Sequence, residues 1–345
     1  MTIPLPLRFK GVPGSPYTRK MLALLRYRHL PYELLLGDQA SALGMPEPKV
    51  SLLPTFYLPG ASGRLEAVVD STPLIRRFEA EFKARAAIPA NPVLSFLNYL
   101  LEDYADEWLT KAMFHYRWYY AADIERAGTI LPLWTGISAS PEQMAARKQF
   151  VAERQISRLY VVGSNDTTAP VIEASYRRFL AAFDRLLQRQ PFVLGSRPAS
   201  ADFALYAQLT QLAKFDPTPM AICLEEAPRV FAWVDLVDDL SGNPAADTDW
   251  MDAARVGETL GELLTEVGRV YVPALLANAA ALEKGEQQMS TTIDGRAWTQ
   301  PAFPYQAKCL HWIRQEFAAL RAADADVVRQ LLEGTGCEPL LSAGN

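Results

Sequence analysis

An α/β domain followed by an all-helical domain, with more helices beyond it, is the architecture this sequence predicts. Three observations carry that expectation. In about the first 80 residues, the size of a small domain, apolar runs are ordered β-α-β and then β-β-α. From Leu94 onward apolar residues recur at helical spacing. The chain has 345 residues, half of them hydrophobic, enough to bury two cores and support an appendage.

Ile3 to Phe9 is apolar and punctuated by Pro4 and Pro6, which predicts an edge strand rather than a central one. Gly14-Ser15-Pro16 then reads as a strand-to-helix turn. Ser15 is the N-cap, because its oxygen accepts orphan amide protons, and Pro16 is the first helical residue, where an amide proton is not needed. Met21, Leu22, Leu24 and Leu25 fall on one side of that helix, with Arg19, Ala23 and Arg26 on the other. Pro31 ends the helix, and Tyr32 to Leu36 makes a second strand. Gly37 to Lys49, with Gly44, Pro46 and Pro48, is a loop with at most one helical turn. Thr55 to Leu58 and Arg64 to Val69 read as a hairpin joined by Pro59-Gly60-Ala61-Ser62-Gly63. Ser71-Thr72-Pro73 starts another helix.

Leu94 to Tyr120 is a long helical run with Phe96, Leu97, Leu100, Leu101, Tyr104 and Trp108 at helical spacing and acids on the other side. It ends in a dense aromatic stretch, Met113 to Tyr120, which cannot all face one way. Some of those rings pack inward, and others either wall a cleft or complete an interdomain core. Glu142 to Leu159 and Val171 to Arg189 are amphipathic helices, and Pro228 opens another. Asn243 to Asp249 is a linker. Beyond it, Ala254 to Lys284, Pro304 to Ala322 and Ala325 to Leu332 are expected helices, separated by a polar, glycine-containing segment, Gly285 to Gln300. This extension is expected to dock on the helical domain, either as a stabilising addition or as a partial roof for the cleft.

Several function classes are disfavoured. A net charge of -5 without basic clusters gives no electrostatic reason to expect nucleic acid. No apolar run is long enough to span a membrane, and the first residues lack a signal pattern, so a soluble cytoplasmic protein is expected. Cys223, Cys309 and Cys337 are scattered and form no Cys-x-x-Cys, while His29, His115 and His311 have no metal-ligand spacing. Neither a dithiol cycle nor a metal site is expected.

Three short runs remain: Ser15 with its helix start, Leu53-Pro54-Thr55, and Asp70-Ser71-Thr72-Pro73. In this order the chain resembles the glutathione transferase superfamily over roughly residues 5 to 242, as a bacterial-type member with serine at the active-site position and a helical C-terminal extension. Phe192 to Tyr206 is similar to the family's buried helix with its capping box, except that Ala199 stands at the usual cap position. Ser200 or the Asp202 carboxylate must then satisfy those amides.

The resemblance implies a thioredoxin-like domain at residues 1–84, an all-helical domain at 92–242, and a helical extension at 250–345 packed on the second. It also implies glutathione as co-substrate and a homodimer. Ser15 is the residue that meets the glutathione sulfur. Pro54 is a cis-proline, and the Leu53 backbone pairs with the cysteinyl unit. Asp70 and Ser71 hold the γ-glutamyl end. Lys49 either reaches the glycine carboxylate or is a solvated loop lysine.

The chemistry fits those residue types. A free thiol has a pKa of about 8.5, so only a small fraction is thiolate at neutral pH. A serine hydroxyl and the amides of a helix start both favour the anion. Asp70 suits an ammonium, and Ser71 with its helix amides suits a carboxylate. Tyr17, Tyr116 and Tyr120 are candidates to contact a small, apolar electrophile. Three functions share such a pocket: transfer of glutathione to that electrophile, ligand binding without chemistry, and a glutathione-dependent lyase, isomerase or reductase reaction.

Overall fold

The computed structural model describes residues 3–342. Residues 1–2 and 343–345, the outer ends of the first and third expected units, lie outside the described residues. The N-terminal part contains β1 (Leu7–Lys10), α1 (Pro16–Tyr27), β2 (Tyr32–Leu35), a short turn of helix α2 (Gln39–Ala42), β3 (Thr55–Pro59), β4 (Leu65–Val68) and α3 (Ser71–Glu81). The four strands are ordered β2-β1-β3-β4, with β1 parallel to β2 and antiparallel to β3. This is a thioredoxin-like sheet. Phe9 faces Phe56 across β1 and β3, their rings stacked at 4.4 Å, and Phe56 meets Phe78 of α3 edge-on.

The expectation of an edge position for β1 is corrected. Pro4 and Pro6 lie before the strand begins at Leu7, so every paired residue keeps its amide and β1 sits between β2 and β3. The helical wheel of α1 also needs amending, because Ala23 and Lys20 are fully buried along with the apolar face. A second helix packs along α1, while Ser71, Glu102 and Asp106 enclose Lys20.

That second helix is α9 in a bundle of α4 (Pro92–Tyr104), a π turn (Ala105–Leu109), α5 (Thr110–Tyr119), α6 (Ala121–Leu133), α7 (Pro141–Ile156), α8 (Ala169–Leu187), α9 (Ser200–Leu212), α10 (Pro217–Glu226) and α11 (Pro228–Val237). Every residue of α9 is buried, and Phe203 packs against Tyr27 of α1. Neither of the two residues expected to replace the missing cap does so: the Ala201 amide goes to Asn98 Oδ1 at 3.0 Å and the Ser200 amide to the Ala87 carbonyl at 2.8 Å. The Asp202 carboxylate instead accepts the amides of Val193 and Ala199, before the helix, each at 2.8 Å, and Ser200 Oγ donates to Glu102 at 2.6 Å. The run expected as one helix to Tyr120 is widened by the π turn and broken at Tyr120, which is extended.

The extension holds α12 (Val256–Glu266), a second π turn (Val267–Tyr271), α13 (Val272–Glu283), β5 (Gln288–Ile293), β6 (Arg296–Pro301), α14 (Pro304–Ala318) and α15 (Ala322–Leu332). The hairpin β5-β6 stands where only a polar segment was expected. Its turn residues Asp294 and Gly295 both have positive φ, which suits the twist of a two-residue hairpin. Trp298 on its buried face meets Trp108 at 5.5 Å, and Tyr271 donates to Asp103 at 2.5 Å. The extension therefore packs against the bundle through named side chains. No helix of the described residues is long and apolar enough to cross a membrane.

Candidate active site

The start of α1 has the geometry its sequence dictates. Ser15 is extended, with φ -92° and ψ 118°, and its Oγ accepts the Thr18 amide at 3.3 Å while Pro16 needs no partner. The same hydroxyl donates to the Leu53 carbonyl at 3.3 Å. The Leu53–Pro54 bond is cis. At the start of α3, Asp70 caps the helix by accepting the Thr72 amide at 3.3 Å.

A cavity of about 360 Å³ opens beside these elements. Leu53, Pro54, Asp70 and Ser71 form one side, and Tyr17 contributes its ring. The opposite side comes from α4 and its π turn, through Tyr99, Asp103, Asp106 and Glu107. Tyr305 and Trp312 of α14 complete the wall, and the Tyr305 hydroxyl donates to Asp70 Oδ2 at 2.8 Å. Ser15 itself is not part of this lining and stands behind Leu53.

Behind the cavity lies a fully buried Lys20. Its Nζ reaches Asp106 Oδ2 at 2.5 Å, Glu102 Oε1 at 2.8 Å and Ser71 Oγ at 3.2 Å. Burial alone would lower the lysine's pKa, but Asp106 and Glu102 raise it, so it stays charged. Burial likewise opposes ionisation of Glu102, yet Lys20 and Arg76 together hold it at about 2. The Ser71 hydroxyl accepts from Lys20, which leaves its own proton free for a ligand.

The remaining acids are less well compensated. Burial pushes Asp103 up to about 7 despite the Tyr271 hydrogen bond, and Asp106 up to about 6 despite Lys20. Glu107 rises to about 8, through burial first and then repulsion from Asp103 and Asp106. Asp70 is also raised by burial, against the hydrogen bond from Tyr305. Tyr17 stays protonated, its pKa raised by burial and by Glu107, and donates to the Asp106 carbonyl at 2.8 Å.

Of the residues expected from sequence, Leu53, Pro54, Asp70, Ser71 and Tyr17 share this cavity, with Ser15 adjoining it. Tyr116 and Tyr120 do not reach it, which corrects their expected substrate contact. Tyr116 is 1 % exposed, and its ring meets Tyr176 of α8 and stacks on Tyr120. Tyr120 donates to Glu173 at 2.6 Å. Helical spacing places both rings against α8, on the far side of the bundle. Lys49 is exposed and outside the cavity. Sequence reasoning missed Lys20, Tyr99, the three acids of α4 and its π turn, Tyr305 and Trp312. Helical spacing puts the acids on the outer side of a helix, but α14 and the N-terminal domain cover that side.

The fold and this cavity define a class: a thioredoxin-like domain joined to a helical domain, with a cleft at their junction. Two family models match the chain, the glutathione S-transferase N-terminal domain over residues 10–86 and the glutathione S-transferase C-terminal domain over residues 145–236. The chain belongs to the glutathione S-transferase superfamily. No curated protein sequence gives a match. Among solved structures, it is similar to a glutathione transferase family member from Pseudomonas fluorescens with two glutathione bound, at 14% identity, covering 69% of this chain and 89% of that one with a TM-score of 0.41. A Tau class glutathione S-transferase from mango is 16% identical, with 74% and 97% coverage and a TM-score of 0.41. A maleylacetoacetate isomerase from Anaeromyxobacter dehalogenans with bound glutathione is 18% identical, with 73% and 98% coverage and a TM-score of 0.40.

Proposed function

We propose that this chain is a glutathione transferase in which Ser15 assists attack of the glutathione sulfur on a small electrophile. One observation carries the reading: Ser15 Oγ lies 3.3 Å from the Leu53 carbonyl, beside a cavity that Leu53, Pro54, Asp70 and Ser71 line together. In this reading the cysteinyl unit pairs with the Leu53 backbone, and the Ser15 hydroxyl turns from the Leu53 carbonyl to donate to sulfur. The first-turn amides of α1 add partial positive charge to the same place. The γ-glutamyl carboxylate takes the Ser71 proton and free helix amides, with the Lys20 charge behind it. The sulfur then bonds to the electrophilic carbon as the leaving group departs with its electron pair.

Ser15→Ala tests the role. Turnover of glutathione with 1-chloro-2,4-dinitrobenzene is expected to fall roughly ten- to a thousand-fold, as loss of one anion-stabilising donor does. Affinity for S-methylglutathione is expected to stay within about twofold, and stability to drop by about 1 kcal/mol as a lost cap. Unchanged turnover removes Ser15 from the chemistry. A second reading, binding without catalysis, is favoured by the same hydroxyl being engaged at both ends, accepting from Thr18 and donating to Leu53. Tight S-methylglutathione binding with no turnover across an electrophile panel would select it. The homodimer implied by the family is checked by light scattering on the eluted protein.

A further inference from the structure

Acids and aromatic rings together wall the cavity. Asp70, Asp103, Asp106 and Glu107 line it, and among the described residues no lysine, arginine or histidine does. Each nearby cation sits behind the wall and is engaged there. Lys20 is held by Glu102 and Asp106, and Arg76 contacts Glu102 Oε2 at 3.3 Å and lies over the Tyr99 ring. Lys111 turns away from the cavity and donates to Gln300 at 3.2 Å. Five carboxylates, counting Glu102, thus surround three cations, and once the raised acids ionise, above about pH 8, the excess negative charge faces the cavity.

One oxygen of Asp106 and the whole Glu107 carboxylate have no hydrogen-bond partner among the described residues. Asp106 is 5 % exposed and lines the cavity, yet only its Oδ2 is used, by Lys20 and Thr72. Its Oδ1 is buried with no hydrogen bond. Glu107, one residue on, accepts no hydrogen bond among the described residues. A buried carboxylate oxygen without a donor is costly, so a ligand group that supplies one is favoured. Aromatic faces beside such acids attract the same kind of group, a cation with an apolar body. Tyr17, Tyr99, Tyr305 and Trp312 provide the rings. Among the described residues no group of three acids, cysteines or histidines is placed to hold a metal ion, which points to an organic cation.

We propose that the second substrate carries a positively charged amine, bound between Asp103, Asp106 and Glu107 on one side and the Trp312 and Tyr305 rings on the other. This deepens the glutathione transferase reading and rests on it for the word substrate. It also replaces the expectation of an apolar electrophile. Compensation of the raised acids gives the cation its selectivity, because each carboxylate ionises more readily once the amine is seated.

An ammonium in this cavity has two possible sources, a separate substrate or the γ-glutamyl end of glutathione, and the test separates them. Isothermal titration of the full chain compares 2-phenylethylammonium with its neutral counterpart 2-phenylethanol, with and without saturating S-methylglutathione. The pH is set at about 8.5, where Asp103 and Asp106 are ionised and Glu107 largely so. The amine is expected to bind at least about tenfold more tightly than the alcohol, and S-methylglutathione to leave that affinity unchanged. Glu107→Gln is expected to bring amine and alcohol within about threefold of each other. Asp103→Asn, which keeps an acceptor for Tyr271, serves the same purpose should the first variant not fold. Equal binding of amine and alcohol, binding of neither, or a preference untouched by both variants would overturn the proposal. Displacement of the amine by S-methylglutathione would also overturn it, by assigning the acidic compartment to the peptide. Selective amine binding without any S-methylglutathione binding would leave the cation site standing and sink the transferase reading instead.

Discussion

Lys20 is a fully buried cation at the junction between the two domains, and Lys20→Met removes it at nearly constant volume. The lysine Nζ contacts Glu102, Asp106, Ser71 and Thr72, and its side chain is 0 % exposed, as is that of Glu102. Methionine fills the space but leaves two carboxylates buried, one of them with Arg76 as its remaining cation. Breaking a buried pair from one side costs about 3–5 kcal/mol. In a chain of this size that corresponds to a melting shift of roughly 4–7 °C.

The sign with pH is also set. In the native chain Glu102 is held at about 2, so its contribution is present above the ordinary carboxylate range and is lost as pH falls toward that value. Without Lys20 both Glu102 and Asp106 titrate higher, Asp106 from an already raised value of about 6. The difference between variant and native protein is therefore greatest above about pH 7 and narrows on acidification, as the variant's carboxylates take up protons. Thermal unfolding across a pH series measures it. A loss below about 1 kcal/mol at neutral pH, or one that does not shrink with acid, would refute the claim that this lysine is a buried, charged tie.

Tyr305→Phe frees Asp70 Oδ2, and if the γ-glutamyl ammonium uses that oxygen, S-methylglutathione is expected to bind about threefold to tenfold more tightly by titration calorimetry. No change would separate Asp70 from the ammonium. Tyr116→Phe removes a buried hydroxyl that has no partner, so it is expected to leave turnover unaltered and to be neutral or stabilising by about 1 kcal/mol in denaturant melts; a loss of activity would return Tyr116 to the site. Gly268→Ala places a Cβ 2.1 Å from the Thr335 carbonyl, and the overlap is expected to cost about 1–3 kcal/mol in calorimetric unfolding. An unchanged transition would mean that the end of the extension does not dock on the second π turn.

Local patterns made the N-terminal elements legible. Ser15-Pro16 announces a helix start because a cap and a missing amide leave signatures within two residues, and Asp70-Ser71-Thr72-Pro73 does the same for α3. Elements that depend on distant partners were not legible. Lys20 reads as one more charge on a helical wheel until α3, α4 and the first π turn are seen to enclose it. Asp103, Asp106 and Glu107 alternate with the apolar residues of α4 as solvent-facing acids do, and only the arrival of α14 turns them inward. Tyr116 and Tyr120 had correct spacing but no marker of which neighbour their face would meet. The β5-β6 hairpin did carry a signal, Asp294-Gly295 between strands whose buried residues alternate, and it was hidden by the polar composition around it.

The two π turns explain why the extension and the acidic wall belong together. A π turn inserts one residue relative to the α-helical period and so shifts everything downstream by about 100° around the axis. Across Ala105–Leu109 that shift lets α4 present Asp103 to Tyr271 while α5 presents Lys111 to Gln300, two contacts with separate parts of the extension. Tyr271 itself closes the second π turn, and its ring meets Tyr104 at 6.1 Å. Trp108, within the first π turn, packs on Trp298 of the hairpin. The same irregular segment carries Asp106 and Glu107 into the cavity that Tyr305 and Trp312 wall. Docking of the extension and exposure of uncompensated acids to a ligand are thus consequences of one local departure from helical period, and a chain with a regular helix there would have to give up part of each.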